Sequence, residues 1–576
     1  MKHPNELTIS DYLDGTLSPT IMDEIGSHLI KCGACSTKLT AMHRFEEQLT
    51  KTSSPLAPIS DIWTSIKPHL PLPADGLVET SQAMTPITPE YLADLQEAIA
   101  LRDFDLIQTL IDEHLPTLAT FDFRQEGAPR LLALLARWID MGFGYRGDEL
   151  DCIYHLKRAL KLFPEPIGRR ATFGDVADFH LAYGILRLHQ DDFDEAISHF
   201  GLVYSLKDHL RDDETIAVAC HGLAKANEEQ GKYREARQWV TQASELAAIA
   251  KRPELKAAFQ VLLGWLLFQE DDDSAESVLT EAYGLFKGTD DVVQLGHILS
   301  ILGRISQRAG NYKYSIKLFS EALTFYSSID MGGGRSHPHV ARTLANRAFA
   351  RRLEALRCDR AATGERPLYL RSYANPIYNT NPVASAAKLR DDAHSDLAAS
   401  FGIYDEYDHS LGRCLVFEAR AYLKLDAGEL DLACQLARDA VHEATQACDD
   451  IKLAGTLILQ CIAECALAVT SSSDIAKSGE HAEMAYRAIT QAIASAERTQ
   501  HRRVNCRARI WRGMVLLLPF YADLTTAKQC YEQAVSSLPV LGNDYIREEL
   551  LVLQSRIESA SKLERRVECS RTGGQA

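Results

Sequence analysis

Along most of the chain, apolar residues recur three and four positions apart, the spacing that lines one face of an α-helix, and almost no strand-like alternation competes with it. From Ala182-Tyr183-Gly184 through Phe193, Ala196 and Phe200, a small residue, an aromatic, an alanine and a large apolar residue follow in order. The order returns at Gly231-Lys232-Tyr233 with Ala236, Val240 and Ala243, at Ala275 with Leu279 and Ala282, and at Gly310-Asn311-Tyr312 with Phe319 and Ala322. From Ala196 to Ala236, Ala275 and Ser315 the steps are 40, 39 and 40 residues, a period that predicts stacked helical hairpins. The small residues would let paired helices approach, and the Tyr and Phe positions would fill the seam between them. Weaker copies are legible at Leu156, Ala159 and Pro164, at Gly428 with Ala433, Ala437 and Ala440, and at Gly513 with Ala527, Tyr531, Ala534 and Pro539.

This register resembles the tetratricopeptide repeat, with a unit slightly longer than the usual one of about 34 residues. The fold class expected is all-α: residues 91–565 form an α-solenoid of about seven to nine helical hairpins, capped by the charged helix Asp544 to Arg566, with residues 566–576 as a disordered tail. The extended, preformed groove of such a solenoid suits helix-in-groove capture of a protein or peptide partner. Residues 71–90, with Pro71, Pro73, Pro86 and Pro89 among Ser and Thr, read as a linker to what precedes.

What precedes carries the most specific local chemistry. His28, Cys32 and Cys35 stand in a His-x3-Cys-x2-Cys arrangement that arises by chance on the order of 0.01 times in a chain with 19 His and 13 Cys. Two thiolates and an imidazole at that spacing can converge on one tetrahedral zinc ion, with His3 as the nearest candidate for the fourth ligand, ahead of His43. The alternative, a Cys-x2-Cys redox pair, wants a strand leading into a helix, and both flanks here read as helix. Gly15 stops one short helix, Ser18-Pro19 starts the next, and Ile21, Ile25 and Leu29 form its apolar stripe. Helices this short bury little apolar surface, so a bound metal would supply folding free energy.

With His3-Pro4-Asn5-Glu6-Leu7 and Tyr12-Leu13-Asp14-Gly15-Thr16-Leu17-Ser18 in front of the cluster, residues 1–70 resemble the zinc-binding anti-sigma domain of bacterial regulators. The resemblance continues through Asp61-Ile62-Trp63-Thr64-Ser65-Ile66-Lys67, which is similar to the family's short fourth helix. It implies a zinc site of His3, His28, Cys32 and Cys35. It also implies sequestration of an extracytoplasmic-function-type sigma factor, gripped in part by Ile62, Trp63 and Ile66. The alternative is an interaction scaffold whose zinc module only docks or stabilises.

Composition narrows the rest. At 576 residues the chain exceeds one compact core, and 46% hydrophobic with 24% charged residues places it among folded proteins. A net charge of −17 argues against direct nucleic-acid binding, which needs a basic face. Cys220, Cys434 and Cys461 fall in helical patterns and read as small buried hydrophobes, and no leader segment points to a disulfide framework. No apolar run is expected to reach the roughly 18 residues that cross a bilayer, the strongest, Met514 to Phe520, being far too short, so a cytoplasmic protein is expected. The acid pairs Asp191-Asp192 and Asp271-Asp272-Asp273 fall between helices, where carboxylates cap. His199, His221 and His297 stand singly within helices, Met331 to His337 reads as a glycine-rich loop between repeats, and no constellation supports an enzyme. The register is interrupted at about 351–388, where Arg351, Arg352, Arg357, Arg360, Arg366 and Arg371 alternate with Tyr369, Tyr373 and Tyr378. These residue types carry interface hot spots; a locally basic insert that contacts nucleic acid and an insertion packed in the solenoid's own groove are the competing readings.

Overall fold

The computed structural model describes residues 88–111, 128–142, 172–363, 384–538 and 544–572, apart from 330–335 and a few single positions. Every regular element among them is an α-helix. The chain divides into two compact units, residues 1–230 with 238–256 and residues 231–237 with 257–576. The first contains α1 (Pro89–Leu101), α2 (Ala128–Gly142), α3 (Phe173–Leu188), α4 (Phe193–Ser205) and α5 (Asp213–Glu229). Helices α6 (Tyr233–Ile249) and α7 (Pro253–Gln269) run across the division. The second unit continues with α8 (Ala275–Phe286), α9 (Val292–Arg308), α10 (Tyr312–Tyr326), α11 (Pro338–Thr363) and α12 (Ala384–Glu406). It ends with α13 (Ser410–Ala427), α14 (Leu430–Gln446), α15 (Asp450–Thr470), α16 (Ile475–Thr499), α17 (Arg502–Leu516), α18 (Leu524–Ser536) and α19 (Asp544–Thr572).

Local chemistry sets these boundaries. Asp212, Asp291, Asp449 and Asp523 each precede a helix and accept a hydrogen bond from the amide three residues on, which satisfies one of the donors a helix start leaves open. Thr172 and Asp175 close a reciprocal capping box at α3. At the turn inside three hairpins the chain passes through the left-handed region at Gly231, Gly310 and Gly428, with φ of 73°, 79° and 78°.

The repeat signal is a packing signal. Ala196, Ala236, Ala275 and Ser315 are all fully buried, and Ser315 Oγ donates to the Gly303 carbonyl at 2.8 Å. The Phe200 ring sits where glycines of two neighbouring helices leave room: a Cβ would come within 2.7 Å of it at Gly184 and 2.4 Å at Gly222. Gly264 against Leu279 and Gly303 against Phe319 repeat the arrangement in the second unit, at 2.5 and 2.7 Å. Helix α15 is, by length and composition, apolar enough to cross a membrane, unlike any run expected from the sequence. Most of it is buried, because Leu457, Ile458, Cys461, Ile462 and Cys465 form the centre of the second unit's core.

Candidate functional site

In the second unit, α7, α9, α11 and α17 bring four guanidinium groups and two aromatic rings together. Trp265 and Phe268 lie one turn apart on α7, with ring centroids 5.7 Å apart. Arg304 and Arg308 are four residues apart on α9, hence on one face. The Arg304 guanidinium carbon stands 4.8 Å from the Trp265 ring and 4.9 Å from that of Phe268, within cation–π range of both. Arg308 covers Phe268 at 3.2 Å and donates to the Phe268 carbonyl oxygen at 2.6 Å.

One carboxylate enters this set. Asp271 occupies the turn position that is glycine in other hairpins, with φ of 68°, and is nearly buried. A left-handed backbone is unfavourable for a residue with a Cβ, and aspartate is among those that tolerate it. Its carboxylate accepts from Arg503 Nη2 on α17 at 2.9 Å and lies 3.9 Å from Arg308. The contact spans 232 residues of sequence. The second unit therefore winds round until the turn after its first helix meets the start of α17.

Arg304 and Arg342 have no carboxylate partner among the described residues. Arg342, on α11, is exposed and reaches the Tyr404 hydroxyl. Burial, with Arg342 and Arg503 nearby, pulls Arg304 down to about 9 from the ordinary guanidinium value. Burial, with Arg308, Arg503 and Arg304 nearby, holds the His501 imidazole, which caps α17, down to about 3.

The sequence-derived candidates His3, His28, Cys32, Cys35, Ile62, Trp63 and Ile66 lie outside the described residues, as do the glycine-rich loop at 331–335 and residues 364–383 of the interrupted register. Arg351 and Arg352, at the start of that register, are engaged within the fold. Arg351 pairs with Asp396, as Arg347 does, while Arg352 donates to Asp426 at 2.6 and 2.9 Å. His199 stands 2.9 Å from His180, nitrogen to nitrogen, and the His297 ring lies 5.6 Å from that of His339. The Cys220 thiol is buried and pushed up to about 12, and burial also raises Cys461 well above the ordinary thiol value, as inert core thiols require. Among the described residues no group of three or more His, Cys, Asp or Glu side chains is placed to hold a metal ion. Arg304 escaped sequence reasoning, and Asp271, read there as a cap, instead accepts from Arg503; aspartate where the register places a turn glycine was the available signal for it.

No family model matches the chain, and no curated protein does. Among solved structures it is similar to the apo quorum sensor NprR of B. thuringiensis, at 13% identity and a TM-score of 0.44 over 69% of this chain and 98% of that one. A Rap protein in complex with competence and sporulation factor matches at 12% identity and 0.39, over 81% of this chain and 98% of that one. Aspartyl phosphate phosphatase F of Bacillus subtilis matches at 13% and 0.39, over 70% and 96%. Likeness at this level assigns no residue and no activity.

Proposed function

We propose that the protein is a non-catalytic regulatory scaffold, with a helical-repeat second unit that binds a segment of another protein. The observation carrying this reading is the set of guanidinium groups beside Trp265 and Phe268, two of them without a carboxylate among the described residues. Arginine and tryptophan are the side chains that most often anchor protein interfaces. Stacked helical repeats present such anchors on an extended surface. The amino-terminal His-x3-Cys-x2-Cys motif supports the finer part of the proposal: His3, His28, Cys32 and Cys35 hold zinc, and the module sequesters an extracytoplasmic-function-type sigma factor in the cytoplasm.

Two arms test this on the full chain. A photo-crosslinking amino acid at Leu262, three residues before Trp265, should form adducts with polypeptides in cells, and the absence of adducts would sink the receptor reading. Affinity capture should retain a sigma subunit with the parent chain and lose it with Cys32→Ser/Cys35→Ser. No sigma subunit retained by the parent would leave the scaffold reading without the sigma factor, and equal retention by the double variant would take the zinc motif out of its capture.

A further inference from the structure

Several arginines of the second unit are paired with carboxylates, and the half-buried Arg304, like Arg420, is not. Arg352 meets Asp426, Arg413 meets Glu443 and Arg507 meets Glu549, each at 3.0 Å or less. A guanidinium taken from water without an anion costs free energy, so folded chains pair such groups. Acidic residues are not scarce here, at 79 against 62 Lys and Arg. Arg304 nonetheless has only aromatic faces beside it, and its charged neighbours Arg342 and Arg503 repel it.

We infer that Arg304 and Arg342 form a receptor for an oxyanion of about two negative charges carried by a partner polypeptide, either adjacent carboxylates or a phosphorylated side chain. The charges match. Arg304 and Arg342 carry two positive charges with no carboxylate partner among the described residues, whereas Arg503 and Arg308 share the carboxylate of Asp271. The rings of Trp265 and Phe268 contact the Arg304 guanidinium without a carboxylate between them, so its N–H groups are the donors for a bidentate contact. Arg342 is exposed, so an incoming anion meets it first. A nucleic acid would offer the same phosphate, and the strongly acidic chain would repel its length.

The inference rests on the reading of the second unit as a polypeptide receptor and can fail separately. Fluorescein-labelled hexaglutamate, a hexapeptide with two phosphoserines, and hexaglutamine would be titrated by anisotropy into the full chain at low salt. One or both anionic peptides should bind saturably and hexaglutamine should not; the tighter of the two identifies the oxyanion. Arg342→Gln, at an exposed position, should weaken binding at least tenfold. Arg304→Gln should do the same with an unchanged helical circular dichroism spectrum, and Arg487→Gln, on the exposed face of α16, should have no effect. Absence of binding by both anionic peptides, equal binding of hexaglutamine, or undiminished affinity in Arg304→Gln/Arg342→Gln would overturn the inference. Crosslinked polypeptide adducts at position 262 would then still stand for the broader reading.

Discussion

Asp426→Asn removes one negative charge and almost no volume from the most deeply buried ion pair described. The side chains of Arg352 and Asp426 are 2% and 0% exposed, and the two oxygens accept from Arg352 at 2.6 and 2.9 Å. Removing one partner of a buried pair typically costs about 3–5 kcal/mol, because the remaining charge has no water to turn to. Two features pull the expectation to the low end of that range. The Arg352 guanidinium lies 4.6 Å from the Tyr422 ring and 5.4 Å from that of Phe349, and asparagine keeps one acceptor oxygen. About 3 kcal/mol corresponds to a rise on the order of a hundredfold in the opening of α11 and α13. Hydrogen exchange of the amides of these two helices reads that quantity directly. Arg352→Met/Asp426→Leu, which removes both charges, should recover most of the loss. Exchange unchanged in Asp426→Asn, or a double variant as open as the single one, would show that the pair is not the electrostatic unit described.

Gly222→Ala should destabilise by about 1–2 kcal/mol, since a Cβ 2.4 Å from the Phe200 ring outweighs the helix preference for alanine; Gly201→Ala, with open space at its Cβ, should stabilise by up to about 1 kcal/mol, and thermal melts showing the reverse order would refute the seam. His501 is held near 3 in the folded chain against about 6.5 unfolded, so acid favours unfolding: stability present above pH 6.5 should fall toward pH 3, by about 2 kcal/mol at pH 5. His501→Asn keeps an oxygen to cap α17 and should flatten part of that profile, with His337, held near 4 by burial, retaining its own share. Metal analysis of the purified chain should find about one zinc, lost in Cys32→Ser/Cys35→Ser and only weakened in His3→Ala; equal zinc in parent and double variant would remove the metal reading.

The repeat architecture was legible because it is written in side-chain size at short range. Gly184, Ala196 and Phe200 define a contact between consecutive helices, and their spacing survives in sequence as a period. The turn glycines Gly231 and Gly310 were legible for the same reason. What failed to show were relations across distance. Arg351 and Arg352 resemble interface anchors by composition, yet Asp396 and Asp426, 45 and 74 residues away, engage them. Asp271 reads as a cap, and its neighbour Asp272 does accept from the Ser274 amide; the Asp271 carboxylate instead turns toward Arg503. Arg304 is distinguished only by what it lacks, and a missing partner has no sequence signature.

The pairing of Asp271 with Arg503 also has a temporal side. A ribosome adding about 5–20 residues per second delivers Arg503 roughly 12–46 s after Asp271, far longer than a helical hairpin takes to form. The first hairpin of the second unit must therefore wait, with an acidic residue in an unfavourable turn conformation, until α17 emerges. The arginine cluster is completed only when that last partner arrives. A nascent chain stalled before residue 503 would carry α7, α9 and α11 but not α17, and could not yet pair Asp271 with Arg503.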